Sequence, residues 1–262
     1  MKTVDQLAYG PFLDRLASAP DRVLLLDYDG TLAPFQIDRN LAVPYPEIHL
    51  LLARIRAEGT RVILISGRAP YDLAVLSGID PRPEIWGSHG FERLKPDGCY
   101  ESEGLSRQQR AGLAMAAKLL QSEGMESRAE VKPGGVAIHV RGLSRSDAED
   151  IIGRVRRLWS PLLAEFGLTL LEFDGGLEIR VPGRDKGFAV RTILAESFPD
   201  AAVAYLGDDR TDEDAFRALN GKGLTVLVRP EYRPTAAEVW LQPPQELIQF
   251  LEEWLCASGG KL

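Results

Sequence analysis

The chain has 262 residues, 45% of them hydrophobic and 26% charged, with a formal net charge of −7. This balance excludes a disordered or fibrous chain. The negative charge argues against a nucleic-acid or anionic-membrane binder, and the length fits one α/β domain carrying an insertion.

The first twenty residues carry Asp5, Asp14 and Arg15 and no apolar core, so no signal peptide is expected. Residues 23–30 (VLLLDYDG) read as a buried strand that ends in turn chemistry. A helical stripe follows over 46–58, with Ile48, Leu51, Leu52 and Ile55 apolar, and Gly59 stops it. Residues 61–66 (RVILIS) form the next strand, and 70–78 a helix opened by Pro70. Residues 84–90 (EIWGSHG) read as a third strand ending in a glycine-rich loop. The alternation resumes with a helix over 186–198, a strand over 203–209 and a helix over 212–219. A strand over 224–228 and a helix over 245–255 close the chain. Repeated βαβ units predict a doubly wound, mostly parallel sheet, a Rossmann-like core.

The middle departs from that rhythm. Residues 106–124 are helical and alanine-rich. Strand-like runs at 128–132 and 136–141 are split by Pro133-Gly134-Gly135, a hairpin signal. A helix over 144–166 is capped by Ser144 with Asp147 three residues on. Runs at 168–173 and 177–181 flank Asp174-Gly175-Gly176, a second hairpin signal. The order αββαββ predicts an inserted α+β cap at 99–181, between core segments 1–98 and 182–262. No apolar run approaches the ~20 residues that a membrane helix needs. Cys99 and Cys256 lack metal-ligand spacing, so a reduced, cytoplasmic setting is expected. Oligomeric state leaves no mark on the sequence, and a monomer is the working expectation.

The chemistry-bearing residues fall at strand ends. Asp27 and Asp29 follow the first strand, and Gly30 lets the chain turn so that both acids address one point at the carboxyl edge of the sheet. A turn that merely ends a strand is the plainer reading of the same residues. Residues 206–214 (LGDDRTDED) hold five acids in seven positions, 208–214. Asp212 to Asp214 suit a helix N-terminus, but the Gly207-Asp208-Asp209 step before them suits a hard divalent cation such as Mg²⁺. Asp27, Asp29 and Asp208 would then converge on one ion. Ser66-Gly67-Arg68 ends the second strand, where a hydroxyl and backbone N–H groups would cradle a phosphoryl oxygen. Lys186 opens a helix and offers a point charge for phosphate.

In combination, DYDGTL, ISGR, the Lys186 helix start and GDDRTDED resemble the four ordered motifs of the haloacid dehalogenase superfamily. The resemblance implies a phosphoryl-transfer enzyme with Asp27 as nucleophile and Asp29 as general acid/base supported by Thr31. Ser66, Gly67, Arg68 and Lys186 would bind phosphate. It also implies Mg²⁺ on Asp27, the Asp29 carbonyl and Asp208, with Asp209 and Asp212 nearby or bound through water. Further segments resemble the trehalose-6-phosphate phosphatase branch: GSHG, ERLKPDG, EVK, AIHVR and LEIRVPGRDKG. That branch implies hydrolysis of a small sugar phosphate, trehalose 6-phosphate, to trehalose and phosphate through an aspartyl-phosphate. Glu130, Lys132, Arg141 and Glu178 would face the sugar from the cap, with His89 and Gly90 on the core side. Ser88 departs from the family's frequent Asn. The residues alone also fit a solvated sheet face, because Glu130 and Lys132 share one side of a strand as ion-pairing residues do, and His139 reads as structural.

Three other readings stay open on sequence. One is a phosphatase for another glycosyl phosphate of the mannosylglycerate or sucrose phosphate type. Another is a phosphomutase, with Asp29 returning the phosphoryl group. The last is a non-catalytic phosphosugar-binding regulatory module, against which the presence of both Asp27 and Asp29 speaks.

Overall fold

The computed structural model describes residues 9–36, 38–102, 104–173 and 175–261; Asp5 and Asp174, used in the sequence reading, lie outside them. In chain order, α1 (Gly10–Ser18), β1 (Arg22–Leu26), α2 (Ile48–Ala57), β2 (Arg61–Ile65), α3 (Pro70–Ser77), β3 (Glu84–Gly87), β4 (Glu92–Leu94) and β5 (Tyr100–Ser102) come first. Then follow α4 (Arg107–Ser122), β6 (Ala129–Lys132), β7 (Gly135–His139), α5 (Arg145–Phe166), β8 (Thr169–Phe173) and β9 (Gly176–Arg180). The rest is α6 (Lys186–Glu196), β10 (Ala202–Gly207), α7 (Glu213–Leu219), β11 (Leu224–Val228), β12 (Val239–Leu241) and α8 (Gln245–Ala257). The chain divides into two compact units, Met1–Glu101 with Asp185–Leu262, and Ser102–Arg184.

The first unit is layered because its central strands are apolar on both faces. On β1, Leu24 and Leu26 join one core with α1, α2 and α8, while Val23 and Leu25 join another with α6 and α7. On β2, Val62 and Leu64 repeat the first assignment, and Ile63 and Ile65 the second. Such continuous apolar runs mark strands buried on both sides. Burying each of these side chains contributes roughly 1.5–3 kcal/mol. The strand order is β12-β11-β10-β1-β2-β3-β4-β5. Pairing is parallel from β12 to β3 and antiparallel between β3 and β4. The order reverses between β1 and β10, so a crevice opens beyond their carboxyl ends, where open α/β sheets bind ligands.

Four elements were not legible in the sequence: α1, β4, β5 and β12. The three strands have three residues each, ERL, YES and VWL, too few to carry a period.

The second unit is a four-stranded antiparallel sheet, β6-β7-β9-β8, with α4 and α5 on one face. Val136 and Ile138 of β7 and Leu177 and Ile179 of β9 pack on Leu113, Leu120, Val155 and Trp159 of the helices. Ser106 caps α4 in a reciprocal box with Gln109, and the Ser144 hydroxyl caps α5 by accepting from the Asp147 amide. The strand alternation turns Glu130, Lys132, Ala137, Glu178 and Arg180 to the face away from those helices. Among the described residues no helix is long and apolar enough to cross a membrane.

Candidate active site

Asp27 stands one residue beyond β1, and its amide donates to Leu206 of β10 at 2.9 Å. The chain then tightens: the amides of Leu32 and Ala33 both donate to the Tyr28 carbonyl at 3.0 Å. Gly30 has φ +85°, and a Cβ there would lie 2.3 Å from Asp208 Oδ2. Both the backbone sign and the close approach therefore require glycine. This turn swings Asp29 beside Arg68, whose Nε and Nη2 donate to its two oxygens at 2.7 and 2.6 Å. Thr31 is buried, but its hydroxyl has no hydrogen-bond partner, so the structure does not bring it to Asp29.

The second acidic loop follows β10. One oxygen each of Asp27, Asp208 and Asp212 lies within 4.8 Å of the others, and all three residues are buried. Lys186, at the start of α6, donates to Asp27 at 2.8 Å and to Asp212 at 2.7 Å. The Tyr205 hydroxyl donates to the same Asp212 oxygen at 2.5 Å. The other Asp212 oxygen accepts the amides of Asp208 and Asp209 at 3.1 and 2.9 Å. Asp212 is thus fully engaged with protein donors, and Asp209 accepts the Arg210 amide at 2.6 Å. Asp208 differs, because its two carboxylate oxygens are buried and accept no hydrogen bond.

The electrostatics follow from that arrangement. Burial first, then the charges of Asp27 and Asp212, hold the Asp208 carboxyl well above the usual range. Burial also raises Asp27, against the opposing pull of Lys186. Burial alone would lower Lys186, but Asp212 and Asp27 more than offset it and keep the ammonium charged. Buried carboxylates facing one ammonium leave negative charge uncompensated, which is costly in a low dielectric. An oxygen set of this kind fits a hard divalent cation, with Asp208 and Asp27 as the carboxylates free to take part.

Ser66 closes β2, and its hydroxyl accepts the Arg68 amide at 3.3 Å. The neighbouring turn is strained, since Ser88 and His89 both have positive φ, 47° and 57°. Two backbone bonds tie it to the Ser66 loop: Ser88 to the Arg68 carbonyl and His89 to the Ser66 carbonyl, both 2.9 Å. The His89 imidazole lies over Gly67, and Gly90 lies against the carbonyl of Asp185, which caps α6. Ser66, Gly67, Arg68 and Lys186 therefore belong to one connected edge of the first unit.

In the second unit, Lys132 donates to Glu178 at 3.0 Å and lies 3.8 Å from Glu130. Lys132 and Glu178 are buried. Glu130 also meets His139 Nε2 at 2.8 Å, which matches the structural reading of that histidine. Arg141 lies beyond the end of β7, and its carbonyl accepts from Arg128 at 3.4 Å. The structure groups Glu130, Lys132 and Glu178 on one face.

Sequence reasoning missed Tyr205 and Arg233, and read Glu213 only as part of a helix N-terminus. Tyr205 alternates with Leu206 on β10 and was legible as a polar end in an apolar strand. Arg233 donates to the carbonyls of Asp208 and Asp209 from a distant loop, and no local pattern announces that.

A family model for trehalose-phosphatase matches residues 25–242. A bifunctional trehalose-6-phosphate synthase/phosphatase of Thermoproteus tenax is 33% identical over 258 residues, covering 97% of this chain and 34% of that protein. A trehalose-phosphate phosphatase of Mycobacterium marinum is 31% identical over 255 residues, covering 89% of this chain and 61% of that protein. The chain thus spans about a third of one relative and about three fifths of the other. The C-terminal domain of a C. albicans trehalose-6-phosphate phosphatase superposes with a TM-score of 0.78 at 21% identity, covering 96% of each chain. That likeness concerns the fold.

Proposed function

The chain belongs to the trehalose-phosphatase family, and from that premise we propose that it hydrolyses trehalose 6-phosphate to trehalose and phosphate with Mg²⁺ as cofactor. The observation that carries the chemistry is the meeting of Asp27, Asp208 and Lys186 where β1 and β10 part. Asp27, Asp208 and the Asp29 carbonyl would hold the Mg²⁺, with Asp209 and Asp212 bracing that set. When bound, the ion supplies positive charge against the phosphoryl dianion.

The residues then divide the work. Asp27 Oδ attacks phosphorus, and the bond from phosphorus to the sugar oxygen breaks. Asp29, which must take up a proton and yield one oxygen from the Arg68 fork as substrate binds, gives that proton to the departing oxygen, while Arg68 keeps it oriented. The product of the first step is an aspartyl-phosphate on Asp27. Asp29, now ionised, takes a proton from water, whose oxygen attacks phosphorus and returns Asp27 as a carboxylate. Ser66, the Gly67 amide and Lys186 hold the phosphoryl oxygens, since phosphoryl transfer depends mainly on positioning and electrostatics. Glu130, Lys132, Arg141 and Glu178 recognise sugar hydroxyls through paired donors and acceptors, with His89 and Gly90 beside the Ser66 loop. The family match and the buried Lys132–Glu178 pair support that assignment. A monomer and a cytoplasmic setting complete the proposed reading, the latter because two cysteines without metal-ligand spacing suit a reduced compartment.

The test is phosphate release from trehalose 6-phosphate, glucose 6-phosphate and sucrose 6-phosphate with Mg²⁺. A clear preference for trehalose 6-phosphate is expected. Equal turnover of the three would remove the substrate assignment, and no turnover of any would remove the enzyme.

A further inference from the structure

Arg233 lies on the loop between β11 and β12, 20 to 25 residues beyond the acids it touches. All five of its N–H donors are used. Nη2 donates to the Asp209 carbonyl at 2.6 Å, and Nε and Nη2 both donate to the Asp208 carbonyl at 3.3 Å. Nη1 donates to Glu213 Oε1 at 2.5 Å and to the Pro234 carbonyl at 3.0 Å. Glu213 is itself fixed by the Thr235 hydroxyl at 2.7 Å and the Ala236 amide at 2.8 Å. The Arg233 and Glu213 side chains are 16% and 12% exposed.

Asp212 grips the same two residues from the other direction, accepting the Asp208 and Asp209 amides. Residues 208 and 209 are therefore held by N–H on one side and by C=O on the other. This matters because the Asp208 carboxylate has no donor of its own and faces the like charges of Asp27 and Asp212. A freer backbone would let that carboxylate turn out to water, where it is better solvated. A backbone clamped at both ends keeps it aimed at Asp27 before any ion arrives, so the ordering cost is met on folding and not on binding.

We infer that Arg233 is a positioning residue for the divalent cation: its guanidinium, anchored by Glu213, fixes the Asp208–Asp209 backbone so that Asp208 is presented as a ligand. The inference rests on the metal reading above. A planar fork is needed, because an ammonium has three donors from one point and cannot span two carbonyls and a carboxylate.

The experiment is calorimetric titration of Mg²⁺ into the full chain as wild type, Arg233→Lys, Arg233→Met and Glu213→Gln, with metal-free melting recorded for each. Arg233→Met should weaken Mg²⁺ binding by about tenfold to a hundredfold, Arg233→Lys by nearly as much, and Glu213→Gln severalfold. The kcat at saturating Mg²⁺ should recover most of its wild-type value. Unchanged Mg²⁺ affinity in Arg233→Met, with only a lower melting temperature, overturns the inference. If Arg233→Met does not fold, unchanged affinity in both Arg233→Lys and Glu213→Gln overturns it equally. A wild-type chain that takes up no Mg²⁺ overturns the metal reading itself, and this inference with it; wild-type binding with unaltered variants overturns the clamp alone.

Discussion

Arg68 forks onto Asp29, donating to its two carboxylate oxygens at 2.7 and 2.6 Å, while its guanidinium stands 5.7 Å from the centre of the Tyr28 ring. A bidentate pair of this kind fixes orientation as well as charge. If Asp29 is the general acid, losing the fork costs part of the 10²–10⁴-fold that such a group supplies. Arg68→Met should lower kcat by about 10²-fold, and Arg68→Lys, which keeps the charge and loses the fork, by about tenfold. Steady-state kinetics at saturating Mg²⁺ measures both. Unchanged kcat in Arg68→Met would remove Arg68 from this role.

Asp27→Asn should remove turnover and leave the fold. The amide keeps an oxygen to accept from Lys186, now 2.8 Å from Asp27, but it is no nucleophile. The expected loss in kcat is about 10⁴-fold or more. Circular dichroism should match wild type, and the melting temperature should move little. Residual turnover above one hundredth of wild type would reassign the nucleophile.

Asp208→Asn should act with opposite signs in two conditions. Without metal, it removes one of the buried like charges within 4.8 Å of each other, so the chain gains stability. A gain of about 1 kcal/mol corresponds to about 2–4 °C in a chain of this size. With Mg²⁺ at a hundred times its Kd, wild type should gain about 2.7 kcal/mol by mass action, and the variant should gain almost none. Thermal melts with and without Mg²⁺ separate the effects. A variant still stabilised by Mg²⁺ to the wild-type extent would exclude Asp208 as a ligand.

The contrast between Asp208 and Arg233 explains how far the sequence could be read. The doubly wound core was legible because β1, β2, β10 and β11 are apolar runs bounded by turn residues, and burial on both faces leaves no other use for them. Asp27, Asp29, Asp208 and Lys186 were legible because each sits at a strand or helix end, where position in the chain implies position on the sheet edge. Which partner each takes was not legible. Arg68 was read toward phosphate and forks onto Asp29; Asp212 was read as near the metal or bound through water, and it lies in the acid cluster while accepting four protein donors. Such pairings depend on tertiary approach between distant loops, and side-chain spacing along the chain does not encode them.

A different ion network tests the fold by pH. Arg93 of β4 donates to both oxygens of Glu196 at 2.7 Å, and Arg61 of β2 adds a contact at 3.1 Å. Hydrogen bonding to Arg93, opposed by burial and joined by Arg61, holds the Glu196 carboxyl below its ordinary value of 4.5. A carboxyl lowered on folding contributes stability above its unfolded value and loses it as pH falls through the folded one. Glu196 is 38% exposed, so solvent screening keeps the contribution to about 0.5–1 kcal/mol. Glu196→Gln should therefore melt about 2 °C lower than wild type at pH 7. The gap should shrink once pH drops below 4.5. A gap that stays constant down to strongly acidic pH would mean that the glutamate stabilises by packing and not by charge.

On the proposed reading, Lys132 and Glu178 separate substrate recognition from chemistry. They pair at 3.0 Å with side chains 5% and 3% exposed, and neither belongs to the unit that carries Asp27. Removing one partner of such a desolvated pair leaves the other charge buried and costs stability, so the melting temperature of each variant is recorded beside its kinetics. On that reading the pair serves recognition of sugar hydroxyls, so its loss should be felt in substrate binding before chemistry. Glu178→Gln and Lys132→Met should raise KM for trehalose 6-phosphate by about tenfold, the value of one charged hydrogen bond of ~1.5 kcal/mol. Turnover of p-nitrophenyl phosphate, which carries no sugar, should stay near wild type. Gly135→Ala supplies an independent probe: a Cβ there would stand 2.6 Å from Glu178 Oε1, so the methyl must displace the carboxylate without altering its charge. It should reproduce the KM effect of Glu178→Gln. Parallel losses on both substrates would instead assign the pair to folding, because a defect in the chemistry-bearing unit or in the whole chain cannot distinguish a sugar ester from an aryl one.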